Sequence, residues 1–534
     1  VEKPNFVRLP LGISLTVVTG LVLTASVAGP GQPAPSAQTA DATVSVAGPR
    51  QPIPSSQTAD ARPGPVPGRT VVDASVLVDM RTRGAGAVPT DARWQYIHGA
   101  EAFNTRLDTR LLTMLDAYAG GRHDPSVQTS AAEEPLKDGM TVAHEVVLAT
   151  GAIVGSRLVQ ATMNEGRAAE HSEEVTYEDL STGVISGSPS LINPEKIGAL
   201  RDMLRTVPLP AAPPAPEQNS TPASAAGELG TPPAEPTPAS EPTAGTGPIP
   251  DDRLLSAVTF TSDGDVSITV SQDPDTGARL SAPQTVTLST DATGRVLSAA
   301  GQALRRQVIA GTPFNAPDPS GVEHINCDLV ACAALTYDDG PNPQTARLLE
   351  ILEKHNVKAT FFAQGAYVQT HPHVARSITA GRHTIANHTL NHPYLTKLSS
   401  SGIAREVQGA QAAIETATGV VPAYLRPPYG ATNASVAASV GLPQVLWDVD
   451  SMDWQSRNKA LYIPRILSLV KPGSVILQHD VHAATVDGQD ELITQLQAKG
   501  YYLVTLPQLF AGIDLKPGGT YKCRGTAPGC TPGR

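Results

Sequence analysis

Aromatic side chains are scarce in this sequence of 534 residues, where tryptophan, tyrosine and phenylalanine together reach only 4%. Proline (48) and glycine (46) are abundant instead, the balance expected when much of a chain is linker rather than core. Positive charge is also short: 39 Lys and Arg stand against 50 Asp and Glu, a formal net charge of −11. That argues against a nucleic-acid binder that works by neutralising phosphates. Only four cysteines occur, none near the apolar run at the start of the chain, which removes lipid attachment there. No strand-like run leads into a dinucleotide-type glycine fingerprint. Beyond residue 28 no apolar stretch has the length to span a bilayer. The chain is nonetheless too long for one core and should hold two or more domains plus linkers.

Lys3 and Arg8 precede an apolar run over 9–28 with small residues Ser26 and Ala28 at its end. This predicts a secretory signal peptide cut after Ala28, although the run is also long enough to stay as an uncleaved membrane anchor. Residues 29–70 form a low-complexity spacer with an imperfect repeat, SVAGPGQPAPSAQTAD at 26–41 returning as SVAGPRQPIPSSQTAD at 45–60. With so few large apolar side chains it cannot build a core.

A folded segment is expected from 71. Residues 71–79 alternate like a strand, and 100–118 space Phe103, Leu107, Leu111, Met114 and Leu115 like a helix. The run 141–160 reads as strand or helix, and 192–207 as a helix with Asn193 as N-cap ahead of Pro194. Residues 208–250 are a Pro-rich linker or insert. A hairpin centred on Asp263-Gly264 follows, then a strand at 281–290 and a short helix within 293–308. Residues 71–207 and 251–315 are thus two parts of one smaller α+β domain. Its scattered Glu101, His123, His144 and Glu145 read as surface residues.

Between His324 and Phe510 short strands alternate with helices, and 320–515 reads as an α/β domain, barrel-like rather than Rossmann-like. The predicted strands include AYLRPPYG, and a long predicted helix, 402–418, carries Ile403, Val407, Ala410 and Ile414 on one side. Residues 516–534 form a tail with a cysteine pair. Cys327, Cys332, Cys523 and Cys530 allow three pairings; the local pairs 327–332 and 523–530 are the simplest, and a four-cysteine zinc site is the alternative, though the spacings match no tight finger pattern.

The chemistry concentrates at predicted strand ends. An apolar run over 329–337 ends in Asp338 and Asp339 and turns at Gly340-Pro341 toward a helical pattern, as at the C-terminal mouth of a parallel-sheet enzyme. Adjacent carboxylates in an apolar setting require a cation or a positive side chain beside them. NHTLNHPYL places His388 and His392 four positions apart, within reach of one metal on a helix or tight loop. One carboxylate and two imidazoles make a plausible zinc shell. RPPYG supplies Arg426, DVDSMDW brings acids and an aromatic, and ILQHD supplies His479 and Asp480.

In this order and at these separations, TYDDG, NHTLNH, RPPYG, DSMDW and QHD resemble the five motifs of the NodB-homology polysaccharide deacetylases, carbohydrate esterase family 4. The likeness covers about residues 325–511. It implies a distorted (β/α) barrel of NodB-homology type, preceded by the smaller α+β domain and the Pro-rich linkers. It also implies metal-dependent hydrolysis of N-acetyl groups on β-1,4-linked amino sugars. By that resemblance Asp338 is the general base, and Asp339, His388 and His392 hold the metal. Arg426 orients the base, the backbone N–H of Tyr429 meets the oxyanion, and His479 is the general acid tuned by Asp453. Trp454 and Leu477 line the acetyl pocket. Tyr337 stands where phenylalanine is more usual, and Arg382 and His383 where histidine and glutamate are. The segment upstream is similar in pattern to the small extracytoplasmic domain that precedes some bacterial cell-wall deacetylases.

These implications set the expectations. The protein is expected to be an exported monomer, cell-wall or membrane associated, that removes N-acetyl groups from N-acetylglucosamine in peptidoglycan. It should use one divalent ion, Zn²⁺ first, with Co²⁺, Ni²⁺ or Mn²⁺ also admitted by such a shell. Its partner is a cell-wall glycan and not nucleic acid. Deacetylation of chitin oligomers, hydrolysis of acetyl-xylan, and non-catalytic wall binding or sensing are the competing readings.

Overall fold

The computed structural model describes residues 74–84, 89–126, 136–207, 248–318 and 323–533. The expected signal peptide or anchor, the repeat-bearing spacer and nearly all of the Pro-rich linker lie outside the described residues. Among the described residues no helix is long and apolar enough to cross a membrane.

The upstream part is built on two sheets. Strands β1 (Leu77–Gly84), β2 (Thr90–Ile97), β3 (Gly139–Thr150), β4 (Ile153–Asn164), β5 (Arg167–Asp179) and β6 (Val184–Gly187) lie side by side in chain order. All neighbours are antiparallel except β2 and β3, which run parallel. The helix Glu101–Ala119 makes that crossover, as a parallel connection requires. The ambiguous run 141–160 is thus a long hairpin of β3 and β4. The second sheet holds β7 (Val258–Phe260), β8 (Val266–Gln272) and β9 (Arg279–Thr287). The expected turn between the first two has Gly264 at φ 77°, where glycine alone is unstrained. Two histidines assigned to the surface are instead interior: His123 and His144 are both buried. Burial pushes the His144 imidazole down to about 3, so it packs as a neutral ring.

The second half is a parallel sheet flanked by helices. Strand β10 (Cys332–Asp338) is buried at every position, as expected of a strand covered on both faces. One edge of β10 pairs with β11 (Thr360–Ala363) and β16 (Tyr502–Val504), the other with β15 (Ser474–His479), all parallel. Strand β12 (Thr384–Asn387) lies outside β11, and β14 (Val449–Asp450) outside β15. Single bridges from Asn387 to Leu425 and from Leu425 to Gln444 carry the curve on to β13 (Gln444–Val445), which pairs with β17 (Thr520–Tyr521).

The α/β expectation holds, but the strand ladders leave the sheet open, so pairing alone does not close the expected barrel. The predicted strand in AYLRPPYG shrinks to the single residue Leu425, because Pro427 and Pro428 have no N–H to continue a ladder. The long helix spans Ser400–Thr418, capped by Ser399 at one end and by left-handed Gly419 at the other, and buries the predicted Ile403, Val407, Ala410 and Ile414. Cys327–Cys332 and Cys523–Cys530 are disulfides, which removes the four-cysteine zinc alternative.

The two halves share a core. Trp94, Tyr96 and Leu111 belong to one buried cluster with Val330, Val475 and Phe510. At its margin the His324 imidazole lies between Glu101 and Asp108, 2.9 and 2.8 Å away.

Candidate active site

Every side chain singled out for chemistry lies at or just after the C-terminal end of a parallel strand or of the Leu425 bridge. Asp338 and Asp339 part at the end of β10. Asp338 is still in the strand, buried, and its Oδ1 accepts a 2.7 Å bond from Arg426 Nη1. Asp339 has a φ of 77°, and this turn sends its carboxylate to the two imidazoles. Its Oδ1 is 3.5 Å from His388 Nε2 and 3.3 Å from His392 Nε2. Asp338 Oδ2 is farther from His388, at 3.8 Å. Gly340 follows because nothing larger fits: a Cβ there would lie 2.4 Å from Asp480 Oδ2.

The two histidines stand on a tight loop rather than a helix. Asn387, fully buried at the end of β12, accepts from the Thr389 N–H at 2.8 Å. Thr389 Oγ1 in turn accepts from the His392 N–H at 3.1 Å. His388 Nδ1 donates to the Arg426 carbonyl at 2.7 Å, which turns its Nε2 toward Asp339. Asp339 Oδ1 and the ligand nitrogens of His388 and His392 lie within 4.8 Å of one another. A carboxylate and two imidazoles converging this way, one ring oriented by a backbone carbonyl, fit a divalent cation.

Electrostatics agree. Burial would raise the Asp339 carboxyl, but bonding to His388 and the nearby imidazoles hold it well below the usual carboxylate range. His388 is raised, its burial outweighed by Asp338 and Asp339. A second cluster among the described residues, Asp448 with Cys523 and Cys530, has both sulfurs in a disulfide. Asp448 serves structure there, accepting from the Val475 N–H at 2.8 Å.

Arg426 is fully buried, with its guanidinium 4.0 Å over the Phe362 ring. Besides Asp338 it donates to Val445 O at 2.9 Å, Leu446 O at 2.8 Å and Thr336 Oγ1 at 2.9 Å. Tyr429 follows the proline pair with φ 61°, a left-handed conformation that is uncommon for a side-chain-bearing residue. Its ring stacks on Tyr394 at 3.9 Å and meets His392 edge-on at 4.7 Å.

Across the β10–β15 register, His479 sits opposite Asp338. Its Nδ1 donates to Asp453 Oδ1 at 2.9 Å, and its backbone N–H to Asp453 Oδ2 at 2.8 Å. Thr485 Oγ1 and Ser451 Oγ complete the carboxylate at 2.7 and 2.8 Å. Burial opposes charge on His479, but Asp453, with Asp338 and Asp339 beyond, pushes it up to about 9. Leu477 is buried and lies two positions earlier on the same face of β15. Trp454 lies in the short helix Asp453–Ser456 and is 46% exposed, so it borders solvent more than an enclosed pocket. Asp480 accepts from Thr345 Oγ1 at the start of the helix Pro343–Lys354. It is fully buried and is pushed up to about 7 by burial.

Several polar partners had no sequence signal of their own. Thr336 and Ser451 lie two positions before Asp338 and Asp453, so strand and turn spacing could have suggested them. Gln364 and Thr485 come from distant parts of the chain: Gln364 Nε2 donates to Asp339 Oδ1 at 2.8 Å.

Residues 327–445 match the polysaccharide deacetylase family, a span that contains Asp338, Asp339, His388, His392, Arg426 and Tyr429. The chain is 38% identical over 189 residues to the peptidoglycan-N-acetylglucosamine deacetylase PgdA of Listeria monocytogenes, covering 35% of this chain and 40% of that one. It is 34% identical over 222 residues to the chitooligosaccharide deacetylase of Rhizobium leguminosarum bv. trifolii, covering 38% of this chain and 99% of the relative. The solved peptidoglycan deacetylase PdaC from Bacillus subtilis is 38% identical, with a TM-score of 0.33 over 34% of this chain and 89% of that structure. The chain spans about 40% of the length of the peptidoglycan deacetylase it matches.

Proposed function

This chain belongs to the polysaccharide deacetylase family, and from that premise we propose that it hydrolyses N-acetyl groups of N-acetylglucosamine residues in peptidoglycan, releasing acetate. One observation carries the reading. A carboxylate paired with a buried arginine and an imidazole paired with a buried carboxylate face each other across two adjacent strand ends, with Asp339, His388 and His392 beside them. Such an arrangement offers a base and an acid on opposite sides of one reacting carbon.

In this reading Asp339, His388 and His392 hold one divalent cation, Zn²⁺ first, with Co²⁺, Ni²⁺ or Mn²⁺ admitted by the same donors. When bound, it would polarise the acetamide carbonyl and acidify a water. Asp338, held by Arg426, accepts the proton of the attacking water as the new C–O bond forms. The Tyr429 N–H donates to the developing oxyanion, a type of contact worth roughly 10²–10³ in rate. His479, charged and oriented by Asp453, gives its proton to the amine nitrogen as the C–N bond breaks, so acetate and a free amine result. Leu477 and Trp454 flank the methyl group. Catalysis falls to residues 320–515, with 71–207 and 251–315 as the smaller α+β part. The protein would act outside the cytoplasm as a monomer on cell-wall glycan.

Chitin oligomers are the second substrate reading, favoured by the 34% identity that spans 99% of a chitooligosaccharide deacetylase. The test is acetate release by the metal-loaded full chain from peptidoglycan, chitin oligomers and acetylated xylan. Peptidoglycan should be preferred. Preference for chitin or xylan would overturn the substrate, and no metal-dependent release from any of them would overturn the activity.

A further inference from the structure

The tetrapeptide Ala363-Gln364-Gly365-Ala366 connects the two loops that converge on the proposed metal site. The His388 N–H donates to Ala363 O at 3.0 Å, and the Gln364 N–H to Gly340 O at 2.9 Å. The Gly365 and Ala366 N–H groups donate to Thr389 O and Leu390 O at 2.9 and 3.0 Å. Four consecutive residues thus hold the carboxylate turn on one side and the histidine loop on the other. Both loops need holding, because Asp339, Thr389 and His392 have φ of 77°, 65° and 60°, a left-handed conformation that strains a residue with a Cβ. Gly365 is fixed by space: a Cβ there would come within 2.8 Å of Ala410 Cα and of Leu390 Cδ1.

The Gln364 side chain is the part backbone geometry does not explain. It occupies the N-cap position of the helix Gly365–Thr370 yet makes no cap bond. Its amide N–H goes instead to Asp339 Oδ1 at 2.8 Å, the same oxygen that faces both imidazoles. A carboxamide donor suits that role. It fixes the direction of the carboxylate without neutralising it, whereas a lysine or arginine there would compete with a cation.

We propose that Gln364 is a positioning residue that sets the affinity of the Asp339–His388–His392 site for a divalent ion. This rests on the reading of those three residues as the metal site. Partners that orient a ligand are typically worth about 10- to 100-fold in metal affinity.

The test uses the full chain, stripped of metal, and its Gln364→Met and Gln364→Ala variants. Zn²⁺ affinity is measured by competition with a chromogenic chelator, and the metal-free unfolding midpoint beside it. The expected result is a Kd weakened about 10- to 100-fold in both variants, with metal-free midpoints within about 3 °C of the parent. A Kd within twofold of the parent overturns the proposal, as does weakening that only tracks a lowered metal-free midpoint. If the parent chain itself fails to bind Zn²⁺, the metal-site reading falls, and this inference with it.

Discussion

Replacing Asp453 by asparagine should move the pH at which the enzyme loses its acid. His479 is pushed from 6.5 up to about 9, and at about 1.4 kcal/mol per pH unit that is roughly 3 kcal/mol of preference for the charged ring. Burial works against the charge; the Asp453 hydrogen bond and charge, then Asp338 and Asp339, outweigh it. The pair is well shielded, at 13% and 0% side-chain exposure, so solvent screens little of this. A cation at Asp339 would offset part of the Asp338 and Asp339 contribution and lower this value.

The sign follows from the raised value. The charged ring contributes its stability in full below 6.5 and loses it as pH climbs toward 9. For Asp453→Asn, the deficit in unfolding free energy should therefore be largest near pH 6 and narrow as pH approaches 9. The alkaline limb of kcat for acetate release should shift at least one pH unit to the acid side, with the maximum down about 10²-fold or more. Identical limbs in parent and variant would refute the assignment of Asp453 as the group that sets His479.

Two further substitutions separate stability from chemistry. Arg426→Met removes a fully buried guanidinium and strands the buried Asp338 carboxylate, which should cost about 3–5 kcal/mol in denaturant unfolding; a loss under about 1 kcal/mol would contradict the buried pairing. Tyr337→Phe deletes the hydroxyl that donates to Gln489 Oε1 at 2.7 Å inside the buried Gln478–Gln489–Thr485 network. That should cost about 1–3 kcal/mol while kcat holds, and a loss of turnover without a loss of stability would show the hydroxyl acting in the reaction.

What was legible in the sequence is what depends on local pattern. The apolar run over 329–337 could only be a covered strand, and β10 is buried throughout. The stripe Ile403, Val407, Ala410, Ile414 marked a helix over 402–418, and the helix spans Ser400–Thr418. The motif residues were legible because each sits at a strand end, where spacing and type speak together. Long-range partners were not. Arg426 meets Thr336 across 90 positions and Thr485 meets Asp453 across 32, and a threonine or glutamine carries no mark of the carboxylate it will meet. The run 141–160 stayed ambiguous because a dense apolar run has no period to choose strand over helix. His123 and His144 misled for a related reason, since a lone imidazole is as readily buried neutral as exposed. The hydroxyl that Tyr337 adds likewise carries no mark of Gln489, the partner it meets 152 positions away.

In the proposed mechanism two adjacent aspartates would do different work: Asp338 would take the proton, and Asp339 would hold the ion. The direct measurement is bound zinc and acetate release, side by side, for Asp338→Asn and Asp339→Asn in the full chain. Asp338→Asn should keep close to one zinc per chain while turnover falls by about 10²-fold or more. Asp339→Asn should lose zinc and turnover together. Equal zinc loss in both variants, or full turnover in Asp338→Asn, would contradict the division of labour.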